Sequence, residues 1–212
     1  EYHIVGANQT QVNPVAGMTF TNGLRALLRQ DPNIIMVGEI RDKETAQLAI
    51  QAALTGHLVL STIHTNNSAG VIPRLIDMGV DPYLIAPTLR LALAQRLVRR
   101  ICPGSGRRVP IEGSIQGFID REFADLPSQF RGIMPKSDHV LFAEPAPGCT
   151  SGTKGRVAVM EAIEINPEIE NLILKGASED EIGTVARRNG FVSMKEDAII
   201  KALEHVIPFE EV

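Results

Sequence analysis

The sequence has no tryptophan and few other aromatic residues, since Phe and Tyr together make up only 4% of its 212 residues. Its core must therefore be built from aliphatic side chains, which raise the hydrophobic fraction to 44%. No apolar run approaches the length needed to span a bilayer, and the start of the chain has no signal-peptide pattern. We expect a soluble globular protein. Because the sequence begins at Glu1 rather than Met, we also expect it to be an excised fragment.

Cysteine is scarce, and neither sign of charge dominates. Two Cys in a chain of this length predict cytosolic thiols rather than a disulfide framework. The 21 basic and 25 acidic residues give a net charge of −4, which does not favour nucleic-acid binding. The basic stretch at 96–100 is the only candidate for such a site. Because it has no stacking aromatics, we give nucleic acid little weight as a partner.

The first hundred residues alternate apolar runs with helix-period stretches, which predicts an α/β fold with a parallel sheet. Helices are expected over 19–30, from Asp42 to about Leu54, and from Asn66 or Asn67 to about Met78. The apolar runs at 34–37 and 58–60 are predicted to be strands buried on both faces. Asp81-Pro82 predicts a further helix, which would continue to Ile101.

Three domains are expected from the change in composition along the chain. Residues 1–101 would form the α/β core, and 102–155 are rich in Gly, Pro and Ser with little periodicity, as in a small irregular insertion. Residues 156–212 would form the third domain, which begins with a strand near 157–160. This strand would be followed by amphipathic helices at about 167–175, 179–189 and 193–205.

The most informative residues are Glu39 and His64, because each closely follows a predicted strand. Successive parallel strands joined by a helical crossover place their carboxyl ends at one sheet edge, where ligands of open α/β sheets bind. An apolar strand that runs into an acidic residue is typical of the Walker B arrangement, in which the carboxylate orients water near a nucleoside triphosphate. Alone, this pattern more often marks an ordinary strand end.

Longer segments resemble the type II/type IV secretion ATPase family. Residues 24–42 (LRALLRQDPNIIMVGEIRD) are similar to its Walker B region, and residues 54–66 (LTGHLVLSTIHTN) are similar to its His box. Residues 43–46 (KETA) and 8–14 (NQTQVNP) match the segments that normally accompany them. The match resumes at Gly155-Arg156 and at 193–197 (SMKED). This resemblance implies the C-terminal part of a RecA-like P-loop NTPase domain, with a small insertion and a C-terminal helical subdomain.

The resemblance also implies residue roles. Glu39 would position the lytic water, His64 would sense the γ-phosphate, and Glu1 would be the last acidic residue of the Asp box. Arginines would serve the nucleotide site or the subunit interface, and the candidates are Arg25, Arg29, Arg41 and, more weakly, Arg156. Each arginine has an ordinary alternative. Arg25 and Arg29 by spacing suit a solvated helix face, and Arg41 with Asp42 suits an ion pair at a helix start. His57, which precedes a strand, is expected to be structural.

Two features of the family are incomplete in this sequence. The phosphate-binding loop G-x-x-x-x-G-K-[S/T] is absent, so we expect these 212 residues alone to have no measurable ATPase activity. The paired CxxC motifs that usually hold Zn²⁺ are reduced to Cys102 and Cys149. Two thiolates cannot fill a tetrahedral site. We expect His139 to be a solvated loop residue rather than a third ligand, so zinc is not expected.

The resemblance implies an ATP- and Mg²⁺-dependent homo-hexameric motor for type II secretion or type IV pilus assembly. It would act with inner-membrane platform and accessory proteins, at the cytoplasmic face of the membrane. The insertion and the tail favour these branches over pilus retraction. The alternative is a non-hydrolytic docking or regulatory paralogue of the same fold, which an intact or broken phosphate loop upstream would distinguish.

Overall fold

A computed structural model describes residues 3–212. Its α-helices and strands follow one another as α1 (Phe20–Leu27), β1 (Ile34–Val37), α2 (Lys43–Leu54), β2 (Leu58–Ser61), α3 (Val71–Asp77), α4 (Pro82–Ile85), β3 (Leu91–Ile101), β4 (Arg107–Pro110), α5 (Gly113–Glu122), β5 (His139–Phe142), β6 (Thr153–Glu164), α6 (Pro167–Leu174), α7 (Glu179–Arg188) and α8 (Met194–Leu203). Short 3₁₀ turns lie at Pro14–Ala16, Leu28–Gln30, Ser128–Ile133 and Phe209–Glu211.

The unit β1–α2–β2 is a parallel crossover, as predicted. The strands pair in parallel from Ile34 opposite Leu58 to Val37 opposite Ser61. The Asp42 carboxylate caps α2 by accepting the Thr45 amide hydrogen at 2.8 Å. Beyond the end of this helix, Gly56 adopts a φ of 100°, a conformation that favours glycine. Both strand ends therefore point to the same edge of the sheet.

The prediction that β1 and β2 are buried on both faces is wrong for the described residues. Ile35 and Val37 are 3% and 5% exposed, whereas Ile34 and Met36 are 60% and 67% exposed. The reason is that α1 and α2 cover one face, where Leu24 and Ala52 join Ile35 and Val37 in a core cluster. No described element packs on the other face, which is continued by the exposed Leu58 and Leu60.

The helix predicted over residues 82–101 is also wrong. Only Pro82–Ile85 is helical, and Leu91–Ile101 forms β3, which pairs antiparallel with β6 along almost its whole length. Leu, Ala, Gln and Arg favour helices locally, and Asp81-Pro82 is a typical helix start. The pairing with a distant strand overrides this local preference. The predicted strand at 157–160 is confirmed as part of the longer β6.

The C-terminal helices α6, α7 and α8 agree with their predicted positions. Their caps explain the agreement, because Asn166, Ser178 and Ser193 each accept a backbone hydrogen bond at the helix start. At α7 and α8 a glutamate three residues later completes a capping box. Helices α6 and α7 pack with α2, α3 and α4 in the largest core cluster. Helix α3 begins at Val71, later than the predicted start at Asn66 or Asn67.

The segment 102–155, for which we expected an irregular insertion, contains regular structure. Strands β4 and β5 pair antiparallel, and α5 contributes Ile119 to a core shared with Val140 and with Ile199 of α8.

The prediction of free thiols is wrong, since Cys102 and Cys149 form a disulfide with Cα atoms 6.6 Å apart. Their separation of 47 residues gave no sign that β3 and the turn before β6 bring them together.

None of the helices in residues 3–212 has the length and apolar character that a membrane crossing requires.

Candidate functional site

The candidate site lies where β1 and β2 end side by side. β1 continues through Gly38 into Glu39, and β2 continues through Thr62 into His64. Beyond the paired strands, the Ile40 amide donates to the Thr62 carbonyl at 2.8 Å, and the Thr62 hydroxyl donates to the Gly38 carbonyl at 2.8 Å. These two hydrogen bonds extend the alignment of the strands past their ends and fix the relative positions of the two backbones.

The side chains of Glu39 and His64 meet at this edge. His64 Nε2 lies 3.3 Å from Glu39 Oε2, and Arg41 Nη2 lies 2.5 Å from Glu39 Oε1. The hydrogen bond from Arg41 lowers the pKa of Glu39, partial burial opposes this, and the charge of Arg41 and the His64 contact lower it further. Glu39 is therefore an ionised carboxylate at neutral pH, with both oxygens partnered.

Arg41 does not form the helix-start ion pair with Asp42 that its position suggested. The Asp42 carboxylate is used as the α2 cap, and the Arg41 guanidinium instead turns to Glu39. Arg41 remains 68% exposed at its side chain, so one face of the fork is open to solvent. An open guanidinium beside an ionised carboxylate can bind an anion while keeping the carboxylate charged.

The other predicted arginines lie away from this pair. Arg25 bridges α1 and α2 through an exposed ion pair with Glu44 at 3.2 Å. Arg29 lies in the 3₁₀ turn after α1 and makes no ion pair within residues 3–212. Arg156 lies in β6 opposite Arg99 and contacts neither Glu39 nor His64. Glu1 lies outside the described residues.

Comparison with known proteins relates the whole chain to one family. A family model described as "Type II/IV secretion system protein" matches residues 1–212.

The chain belongs to the type II/IV secretion system protein family.

Individual relatives and a solved structure agree with this assignment. The chain is 45% identical to the type IV pilus assembly ATPase PilB of Thermus thermophilus, over all of this chain and 23% of that protein. It is 43% identical to the type II secretion system protein E of Xanthomonas campestris, over all of this chain and 36% of that protein. The Legionella pneumophila ATPase DotB superposes with a TM-score of 0.57 at 26% identity, covering 91% of this chain and 41% of DotB. The α/β fold is thus that of the family's P-loop NTPases, and the chain spans well under half the length of these relatives.

The cysteines of this family member are not arranged as metal ligands. Both sulfurs are used in the disulfide, and no group of three or more His, Cys, Asp or Glu in the described part of the chain could hold a metal ion. His139 is not the solvated loop residue that we expected. It begins β5, and its ring lies 4.3 Å from that of His205.

His57 has the contacts of a structural histidine. Its Nδ1 lies 2.8 Å from the Ala52 carbonyl and 3.1 Å from the Thr55 hydroxyl, so it completes the C-terminal end of α2. It makes no contact with the Glu39–His64 pair.

One functional candidate was missed by sequence reasoning. Glu161 of β6 is only 6% exposed, although its neighbours on that face, Val159 and Ile163, are apolar. Its carboxylate accepts hydrogen bonds from Ser68, which closely follows His64, and from the start of α8. The available signal was an acidic residue at an inward position of an alternating strand. It could not be recognised from the predicted strand at 157–160, because Glu161 lies beyond the end of that strand.

Proposed function

We propose that the polypeptide to which this chain belongs is an ATP-hydrolysing motor for type II secretion or type IV pilus assembly, and that this chain supplies the hydrolytic residues. The observation that carries the proposal is the Glu39–His64 pair, held 3.3 Å apart at the ends of adjacent parallel strands, in which Arg41 lowers the pKa of the Glu39 carboxyl. The 45% identity to a pilus assembly ATPase supports the same conclusion.

In this proposal, Glu39 orients the attacking water by accepting a hydrogen bond from it, a role suited to a carboxylate that is charged at neutral pH. His64, whose side chain is 83% exposed, reaches from the neighbouring strand end toward the γ-phosphate. Glu39 and His64 would thus both lie beside this phosphate. Arg41 holds the carboxylate in place and presents its free face to phosphate oxygens. Bound Mg²⁺ would neutralise phosphate charge.

The remaining predicted residues belong to the surroundings of the site. We assign Arg25 and Arg29 to the nucleotide site or a subunit interface, Arg156 to an interface, and Glu1 to an acidic segment beside the nucleotide. Since the 212 residues contain no phosphate-binding loop, other residues of the same polypeptide must hold the β- and γ-phosphates. The motor would be a homo-hexamer at the cytoplasmic face of the inner membrane, joined to platform and accessory proteins.

The test is steady-state ATP hydrolysis by the complete native polypeptide, as wild type, with Glu39→Gln, and with Glu204→Gln as a control. Glu204 is exposed and lies at the end of α8, away from the pair. We expect Glu39→Gln to remove turnover and the control to retain it. If the folded wild-type polypeptide with an intact phosphate loop shows no turnover, the non-hydrolytic docking module is the better description.

A further inference from the structure

A buried carboxylate links the segment after His64 to the start of α8. Glu161 Oε1 accepts the Ser68 amide hydrogen at 2.7 Å and the Ser68 hydroxyl hydrogen at 2.9 Å. Its other oxygen, Oε2, accepts the Met194 amide hydrogen at 3.1 Å. Ser68 is fully buried, and Met194 is the first residue of α8. One side chain therefore joins two segments that are far apart in sequence.

The cost of burying this carboxylate is met by its three donors. An ionised group among apolar neighbours is unfavourable unless hydrogen bonds replace its water. The Met194 amide is one of the free N–H groups of a helix start, where negative charge is stabilised. Because all three donors lie on the two segments, moving either segment away from β6 would leave the carboxylate buried without its partners.

A second contact links the same segment to α7. Asn67 Nδ2 donates to the carboxylate of Glu179, the first residue of α7, at 2.5 Å. The Asn67 side-chain oxygen accepts the Gly70 amide hydrogen at 2.8 Å, and the Thr65 hydroxyl donates to the Asn67 carbonyl at 2.9 Å. The run 65–70 is thus hydrogen-bonded within itself, to Glu161 of β6 and to the first residue of α7.

His64 has no comparable packing of its own. Its side chain is 83% exposed, and Glu39 is the only polar partner that the described residues give its ring. The direction of the ring therefore depends on the backbone on either side. On one side Thr62 is fixed to Gly38 and Ile40, and on the other the backbone enters the run that Glu161 holds.

We propose that Glu161 is a positioning residue for the hydrolytic pair. Glu161 holds the segment after His64 so that the imidazole faces Glu39, and it also joins that segment to α8. This rests on the proposed function. A change in position of His64 on nucleotide binding or hydrolysis would then displace the start of α8 through the Glu161 carboxylate. The same contact passes a displacement of α8 back to His64.

A glutamine at this position can satisfy only part of the network. Glutamine offers one acceptor oxygen, and its NH₂ group would face a backbone N–H. A glutamine can accept the backbone hydrogen bond of Ser68 or that of Met194, but not both. Glu161→Gln should therefore weaken the link while preserving side-chain volume. Ser68→Ala removes only the hydroxyl contact and leaves the backbone hydrogen bond, so it should have a smaller effect in the same direction.

The first measurement is hydrogen exchange on this chain, comparing wild type with Glu161→Gln, Ser68→Ala and the control Glu164→Gln. Glu164 lies in the same strand but is exposed and paired in register with Leu91. We expect faster exchange at residues 65–70 and at the first turn of α8 in Glu161→Gln, and no change in the control. Unchanged exchange at both segments in folded Glu161→Gln would overturn the proposal.

The second measurement is ATP hydrolysis by the complete native polypeptide with the same variants. We expect kcat to fall roughly tenfold in Glu161→Gln and about threefold in Ser68→Ala, with little change in KM, because hydrogen bonds to a charged group are lost but no phosphate contact is. A merely structural role would leave kcat of the folded variants unchanged and would overturn the proposal. If Glu161→Gln does not fold, Ser68→Ala decides in the same way.

The Glu39 and Glu161 variants distinguish the positioning role from the proposed function. If Glu39→Gln abolishes turnover while Glu161→Gln and Ser68→Ala leave it unchanged, only the positioning role is wrong. If Glu39→Gln also leaves turnover unchanged, the proposed function is wrong and the catalytic role of Glu161 falls with it.

Discussion

Glu39 divides its two carboxylate oxygens between Arg41 and His64, and this division defines the chemistry of the site. A lone carboxylate at a strand end would be an unremarkable solvated group. Here the guanidinium lowers its pKa and fixes one oxygen, and the imidazole approaches from the neighbouring strand. Both contacts depend on the parallel alignment of β1 and β2, so the pair is a product of the topology.

Replacing Arg41 should change the titration of Glu39. The hydrogen bond from Arg41 is the largest influence on this carboxyl and lowers its pKa below the ordinary 4.5. In Arg41→Ala the pKa of Glu39 should rise toward that value, as followed by NMR of the carboxyl carbon on this chain. A depressed carboxyl pKa adds stability above pH 4.5 that is lost as the pH falls, so Arg41→Ala should also weaken that acid dependence.

Arg25→Ala is the matched control for this titration, because Arg25 is an exposed arginine that pairs with Glu44 rather than Glu39. It should leave the Glu39 curve unchanged. A Glu39 carboxyl that titrates identically in wild type and Arg41→Ala would show that the ion pair does not persist in solution.

The proximity of Glu39 and His64 could be predicted from the sequence, because each lies just beyond a short apolar run. Glu161 could not, because its donors come from Ser68 and Met194, and only the folded chain brings these together. The disulfide between Cys102 and Cys149 was missed for the same reason.

At the scale of elements, local signals located those helices whose caps are in the sequence. Asp42, Ser178 and Ser193 each accept a backbone hydrogen bond at a helix start, and these helices were predicted well. Strand β3 was mistaken for a helix because its residues have good helix propensity, and its partner β6 begins more than fifty residues later. Long-range pairing is the information that local patterns do not contain.

Helix α8 is held to the insertion by a partly buried ion-pair network. The Arg187 guanidinium donates to Glu196, which is 4% exposed at its side chain, and to Asp125, which follows α5. Removing one partner leaves an uncompensated buried charge, so Arg187→Ala should lower the free energy of unfolding by about 3 kcal/mol. Urea unfolding of this chain measures the loss.

The neighbouring Arg188 provides the control for this experiment. It pairs with Glu168 at 2.9 Å, but both side chains are more than half exposed. An exposed pair contributes little, so Arg188→Ala should cost less than about 1 kcal/mol. Equal losses in the two variants would contradict the account of the buried network.

The disulfide joins the end of β3 to the turn before β6. Protein purified without reductant and unfolded in denaturant should show no reactive thiols, and Cys149→Ser should expose the Cys102 thiol. A crosslink that closes a loop of this size typically contributes about 2–4 kcal/mol. Urea unfolding should show a loss of that order on reduction. Two reactive thiols in unreduced wild type would contradict the pairing.

Across the whole chain, the proposed hydrolytic pair is present but a phosphate-binding loop is not. The chain should therefore neither bind nor hydrolyse ATP by itself, because the β- and γ-phosphates lack the backbone amides and lysine of a phosphate-binding loop. Phosphate release by the purified 212-residue chain measures this. Robust turnover that disappears in Glu39→Gln would contradict the prediction.

The apolar face formed by Ile34, Met36, Leu58 and Leu60 is a second property of the molecule at this scale. Exposed side chains of this size next to the candidate site leave one face of β1 and β2 uncovered by any described element. The covered face, in contrast, holds the strands in the register that brings Glu39 and His64 together. The Glu39–His64 pair thus lies at the edge of two strands that the described helices cover on one face only.

The role of Glu39 is tested most directly by measuring ATP binding and ATP hydrolysis on the same preparation of the complete native polypeptide carrying Glu39→Gln. We expect the Kd for ATP to stay within about threefold of wild type, while turnover falls roughly 100-fold or more, because the residue that orients the attacking water is lost. Turnover close to wild type, or a loss of binding as large as the loss of turnover, would contradict the assignment of Glu39 to the hydrolytic step.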